Sequence, residues 1–246
     1  MRAGSVRRNL NLNRIYGYEC RRLILNKFFI GISVLILVYG WQVLKNITIL
    51  GVSFTAPFSA WSFGDYLSRM SVFLWIGILF MVGFYHTKAE KRRAVIFESA
   101  PVKPYVFDLI RIGAILTVTA LLVFIICLPA VVFYGSVFDL YPTGMILCAT
   151  LLTLFPIAVF AIGSGKLLAH VGTPVLYIWM SVPFILKMIP LPEAFGILNG
   201  SSFTERPLSI EGLDPEFSLT VGVIVVQSIV FILGVLMILF KNKRKR

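Results

Sequence analysis

Between Ile112 and Phe138 the chain carries no charged side chain, and a run of that length limits the fold more than any motif does. A helix needs about 20 apolar residues to cross the roughly 30 Å hydrocarbon layer of a bilayer. Inside that layer every backbone N–H and C=O must find its partner within the protein, which leaves helices and closed barrels. Further apolar runs occupy Phe28–Leu44, a stretch from Leu67 or Met70 to Tyr85, a stretch ending near Gly165, Val171–Leu186 and Phe217–Phe240. None alternates with the period of two of a porin strand, so the runs read as helices. Hydrophobic residues make up 58% of the 246 and charged residues 14%, a balance that a soluble domain could not cover with polar surface.

The segment His86–Arg111 interrupts this apolar pattern with Lys88, Lys91, Arg92, Arg93, Lys103 and Arg111. Basic residues next to spans resist translocation, so this loop is expected on the cytoplasmic side. With six spans, every basic residue except Lys45, Arg69, Lys187 and Arg206 falls on that side, and both termini do as well. The expectation is an all-α membrane protein of six transmembrane helices. Residues 1–27 form a cytoplasmic tail and an interfacial helix, 28–240 the transmembrane domain, and 241–246 a basic cytoplasmic tail. The formal charge of +12 is thereby accounted for by membrane orientation and not by nucleic-acid binding.

Leu12–Lys27 reads as the interfacial helix. At 100° per residue Leu12, Ile15, Tyr16, Cys20, Leu23 and Ile24 share one half of the wheel, with Arg14, Arg21 and Arg22 on the other. Glu19 falls within the apolar half. It is either a snorkelling carboxylate or the partner of a basic group of the bundle. On the outer side, Asn46–Tyr66 is apolar enough to lie in the interface, and Pro192–Phe217 is an acidic loop with Glu193, Glu205, Glu211, Asp214 and Glu216 against Arg206. Pro156 is expected to kink the fourth span.

Little in the chain points to chemistry of its own. No ionisable side chain sits in the middle of an expected span, so an ion-coupled mechanism has no visible site. Cys20, Cys127 and Cys148 form no CxxC pair, and His86 and His170 have no metal-ligating neighbour at helical spacing. Gly163-Ser164-Gly165-Lys166 lacks the leading glycine and the strand–loop–helix setting of a phosphate loop. Asn46-Ile47-Thr48 matches a glycosylation acceptor beside a span end.

Glu19-x-Arg21-Arg22 ahead of the first span, and Glu90-x-Arg92-Arg93 followed by Ser99-Ala100-Pro101-Val102 and a short helix ending at Arg111, resemble the type-2 permease subunits of ABC transporters. The resemblance implies an elbow helix carrying Glu19, Arg21 and Arg22. It also implies a coupling segment that docks on a separate ATP-binding subunit, with Glu90, Arg92, Arg93, Ser99, Pro101 and Val102 in it. Phe97 joins that segment on its own reading, as part of an apolar patch among charges. Ala94 stands where the family commonly has glycine, and Lys103-Pro104 follows the Pro101-Val102 element. The function expected is an exporter of a hydrophobic or amphipathic molecule (a peptide antibiotic, drug or lipid) in the cell membrane. A second permease copy or homologue and membrane lipids are the further partners, and ATP and magnesium are bound by the ATPase. No cofactor, metal or catalytic residue is expected on this chain. A membrane-anchored sensor or scaffold that recruits a cytoplasmic protein is the alternative, and a membrane enzyme using Asp65, Asp139 or His86 is a third.

Overall fold

The structure, a computed structural model, describes residues 12–87, 90, 104–210 and 216–240. The N-terminal tail, the tail Lys241–Arg246 and, within the expected coupling segment, Arg92, Arg93, Phe97, Ser99, Pro101 and Val102 lie outside the described residues. Helix α1 spans Leu12–Ile24 and α2 Lys27–Asn46; the Asn26 side chain caps α2 by accepting from the Phe28 backbone N–H at 3.0 Å. A turn of 3₁₀ helix at Thr48–Leu50 leads to α3, Ala60–Phe84, capped by Ser59. Then come α4 (Pro104–Phe138), α5 (Thr143–Val171), α6 (Thr173–Met188), the single turns α7 (Gly196–Asn199), α8 (Ser201–Thr204) and α9 (Arg206–Ser209), and α10 (Val221–Leu239). Pro104 occupies the first position of α4, where its missing N–H leaves no bond unmade. The short separate helix expected to end at Arg111 is corrected accordingly: Arg111 lies early in one continuous 35-residue helix.

Among the described residues, five helical segments are long and apolar enough to cross a membrane: Lys27–Leu50, α3, Val106–Phe138, α5 and α10. The six-span architecture is therefore corrected. The stretch expected as the fifth span forms α6, which has 16 residues. At 1.5 Å per residue that is about 24 Å, short of the hydrocarbon layer. Its limits are set by sequence. Gly172 separates it from α5, and Ile189, which precedes Pro190, is driven to an extended conformation (φ −101°, ψ 131°) that ends the helix. The second span is longer than expected, because α3 takes in Ala60–Tyr66 from the segment read as an interfacial loop.

The packing partners give each helix a direction. Along α3, Tyr66 meets Gly40 and the Ile126 carbonyl, Gly77 meets Ile32 and Leu122, and Phe80 stacks on Phe28, so α2 and α4 run antiparallel to it. His86 packs on His170 and Gly165 on Leu79, which makes α5 parallel to α3. Phe155 stacks on Phe231 and Lys166 donates to the Ile238 carbonyl at 2.6 Å, so α10 is parallel to α5. Two successive long helices pointing the same way require a return between them. That return is shared by α6, which runs from Leu176 beside Gly83 to Lys187 on Ser68, and by the compact segment 189–210. There Phe203 is fully buried on Gly64, where an added Cβ would come within 2.2 Å of its ring. Gly200 is at φ 96°, in the left-handed region, pressed on Ser68 and Asp65. The described chain thus begins and ends at one end of the bundle, the elbow end, where α1 lies.

Helix α3 is the centre of the fold: 72% of its most apolar window is buried, against 17% in α10. Without a hydrophobic drive between helices in lipid, close backbone approach holds α10 in place. At Gly234 an added Cβ would lie 2.7 Å from both N and Cα of Phe160, and at Gly163 one would lie 2.4 Å from the Gly234 carbonyl oxygen. Gly234→Val should separate α10 from α5 and lower stability by about 2 kcal/mol or more, read as a fall in the unfolding midpoint in detergent. Unchanged stability would show that α10 is held by other contacts.

Candidate functional site

At the elbow end three elements meet around two buried carboxylates. Glu19 of α1 is 1% exposed and Glu90, beyond α3, is 3% exposed. Arg22 Nη1 donates to Glu19 Oε1 at 3.2 Å and its Nη2 approaches Glu90 Oε1 at 2.7 Å. From α4, Arg111 Nη2 donates to Glu90 Oε2 at 3.4 Å. One carboxylate is therefore ion-paired with two guanidinium groups carried by different helices. Aromatic rings floor the network. The Arg22 guanidinium lies 4.8 Å from the Phe84 ring centre, and that of Arg111 lies 4.9 Å from Tyr85 and 4.3 Å from Phe107.

The local sequence explains the convergence. Glu19 and Arg22 are three residues apart on one helix and so share a face, with Leu23 burying itself beside them. Tyr16, one turn earlier, hydrogen-bonds Thr117 of α4 and fixes the register between the two helices. Burial by itself would lower the Arg22 pKa, but the Glu90 hydrogen bond and the Glu19 charge outweigh it and raise it. Burial pushes the Tyr85 phenol well above its ordinary range, with the Glu19 carboxylate adding to the shift. Each ion costs several kcal/mol to bury, and the site holds together because each carboxylate has its counter-charge.

Of the expected site residues, Glu19, Arg22 and Glu90 come together here, whereas Arg21 is exposed. The wheel placed Arg22 with Arg14 and Arg21 on the basic half, towards lipid headgroups; its guanidinium instead turns inward to Glu90. Tyr85, Phe84 and Phe107 were not singled out in the sequence, and only their position at helix ends beside the basic segment could have marked them. His86 and His170 pack edge to face at 5.3 Å. Among the described residues no group of three or more His, Cys, Asp or Glu side chains gathers to hold a metal ion.

Comparison with protein-family models, with curated proteins and with solved structures finds no match to this chain. What the helices establish stands on its own. This is a multi-pass, all-α membrane protein. Its buried network yields a direct prediction. Glu90→Gln leaves two arginines facing one amide, and stability should fall by about 3 kcal/mol in denaturant titration of the detergent-solubilised chain. Arg21→Gln, at an exposed position of the same helix, should stay within about 0.5 kcal/mol. Equal effects would mean that the network is not what holds this end together.

Proposed function

We propose that the chain is the membrane-embedded permease subunit of an ABC-type exporter driven by a separate ATP-binding subunit. The observation that carries the reading is Glu90. It belongs to the basic segment after α3 and is bonded both to Arg22 of the interfacial helix and to Arg111 of α4. A force applied to that segment therefore has a stiff path into an elbow helix and a spanning helix together. An ATP-driven exporter with no nucleotide-binding motif of its own takes its energy from a partner, and this connection is where a partner could deliver it.

In this reading Arg92, Arg93, Phe97, Ser99, Pro101 and Val102 form the surface that meets the ATPase, with ATP and magnesium held on that partner. The elbow end lies in the cytoplasm, in keeping with the basic residues there. The substrate is hydrophobic or amphipathic, in accord with apolar helix faces, and a second permease copy or homologue completes the pathway. The acidic segment then faces outward. Glu193 accepts from Arg206 at 2.6 Å and from the Thr220 hydroxyl; these contacts lower its pKa, the Thr220 bond foremost.

Two measurements test this. Ser209 is exposed on α9, whereas Ser202 is buried, so a cysteine at 209 in a cysteine-free chain is the position to label. Labelling of intact cells by an impermeant maleimide is expected, and labelling only after permeabilisation would reverse the orientation. Proteoliposomes holding the chain and an ATP-binding subunit that co-purifies with it should show ATP-dependent efflux of an amphipathic dye. A joint Phe97→Ala and Arg93→Ala change should cut that flux about tenfold or more, as loss of two interface anchors does. Full flux and full partner affinity in that variant would leave the segment as a topology signal only, which is the scaffold-free outcome that overturns the coupling role.

A further inference from the structure

At the end of the bundle opposite the elbow, a cleft of about 180 Å³ opens between the turn after α2, the first turns of α3 and the end of α8. This is far above the roughly 10–15 Å³ that a single water needs. Its walls include Thr48, Ser53, Asp65, Arg69 and Thr204. Thr48 is 2% exposed, and its hydroxyl has no hydrogen-bond partner. Such a group is costly to bury, and a missing partner is the simplest account of it. Asp65, 6% exposed, takes the Arg69 Nε at 2.8 Å through Oδ2, which leaves the two terminal amines of the guanidinium unengaged by that bond. Just behind, Lys187 donates to Ser68 at 3.0 Å, and Gly200 brings Ser68 and Asp65 side by side. Within the lining Asp65 faces Arg69, and the half-buried Lys187 adds a second cation nearby.

The cleft therefore presents the terminal amines of Arg69 and the unpartnered Thr48 hydroxyl, donors that suit an anionic oxygen cluster. The guanidinium fork fits a phosphate by geometry as well as charge. The rim points to the source of that phosphate. Leu50 and Phe54 are 79% and 60% exposed beside the cleft, and Ile30, Val34 and Val38 of α2 present a bare apolar face further along. A headgroup seated between Thr48 and Arg69 would leave its acyl chains on that face.

We propose that this cleft binds the phosphate of an anionic phospholipid, held by Arg69 with the Thr48 and Ser53 hydroxyls, while its acyl chains lie along the exposed face of α2. The site is separate from the elbow network and does not depend on the transport reading.

The test uses the full chain in phosphatidylcholine nanodiscs doped with phosphatidylglycerol, with retained lipid counted by native mass spectrometry. The wild type should keep phosphatidylglycerol over phosphatidylcholine. Arg69→Gln should reduce that preference about tenfold, as loss of a charged hydrogen-bond donor does. Thr48→Val, nearly isosteric, should weaken it by a smaller factor, and it carries the test if Arg69→Gln disturbs the fold, as judged by the unfolding midpoint. Displacement of the retained lipid by inorganic phosphate supports the shared phosphate chemistry. Phosphate binding with no preference for phosphatidylglycerol overturns the lipid as occupant. Equal retention by wild type and both variants, all folded, overturns the site itself.

Discussion

The carboxylate of Glu90, buried between Arg22 and Arg111, is the interaction on which the elbow end depends. Helix α1 is short and has exposed polar groups along much of one side, and an isolated helix of its length is marginal in water. Its position comes from what it is tied to. The Arg22–Glu90 contact binds it to the end of α3, and the Tyr16 and Thr117 hydroxyls bind it to α4. Because the carboxylates are buried, these contacts act as a joint and not as a loose surface ion pair, which would contribute little. Arg111 then extends the same joint into a helix that continues to the opposite end of the bundle, where Tyr134 reaches the Pro57 carbonyl.

The opposite end is organised by a different constraint. Helix α6 ends at Met188, one residue past the Lys187 that meets Ser68, so the return from α5 to α10 is completed by short turns whose side chains pack on the first turns of α3. Phe203 fills the space over Gly64, and Ile197 is equally buried. The same arrangement brings Lys187, Ser68, Asp65 and Arg69 together, charges that helix-by-helix reading scattered over three separate segments.

Much of this architecture was legible because bilayer thickness translates directly into sequence. The absence of charge from Ile112 to Phe138 marked the core of α4, and the bounds of α2 and α10 lie within a few residues of their apolar runs. The errors came where tertiary contacts overrode local composition. Asn46–Tyr66 reads as interfacial because it is apolar and carries Trp61 and Tyr66, yet Ala60–Tyr66 is the start of α3, where Ser59 caps the helix and Asp65 pairs with Arg69 one turn on. Val171–Leu186 was apolar enough for a span, but the Gly172 and Pro190 boundaries make it too short. At the candidate site, the place of Glu19 among Leu12, Ile15 and Leu23 signalled an unusual carboxylate. Its surroundings were not legible, since Glu90 and Arg111 lie far along the chain and only folding brings them within reach.

The central claim is that Glu90 fixes the elbow helix against the spanning helices. Spin labels at Arg21 and Leu109, both exposed, placed in a chain whose Cys20, Cys127 and Cys148 are replaced, report the distance between α1 and α4 directly. The account predicts one narrow distance distribution in the otherwise native chain, and a broad or displaced one when Glu90 is changed to Gln. A distribution that stays narrow and unshifted without the Glu90 charge would contradict it.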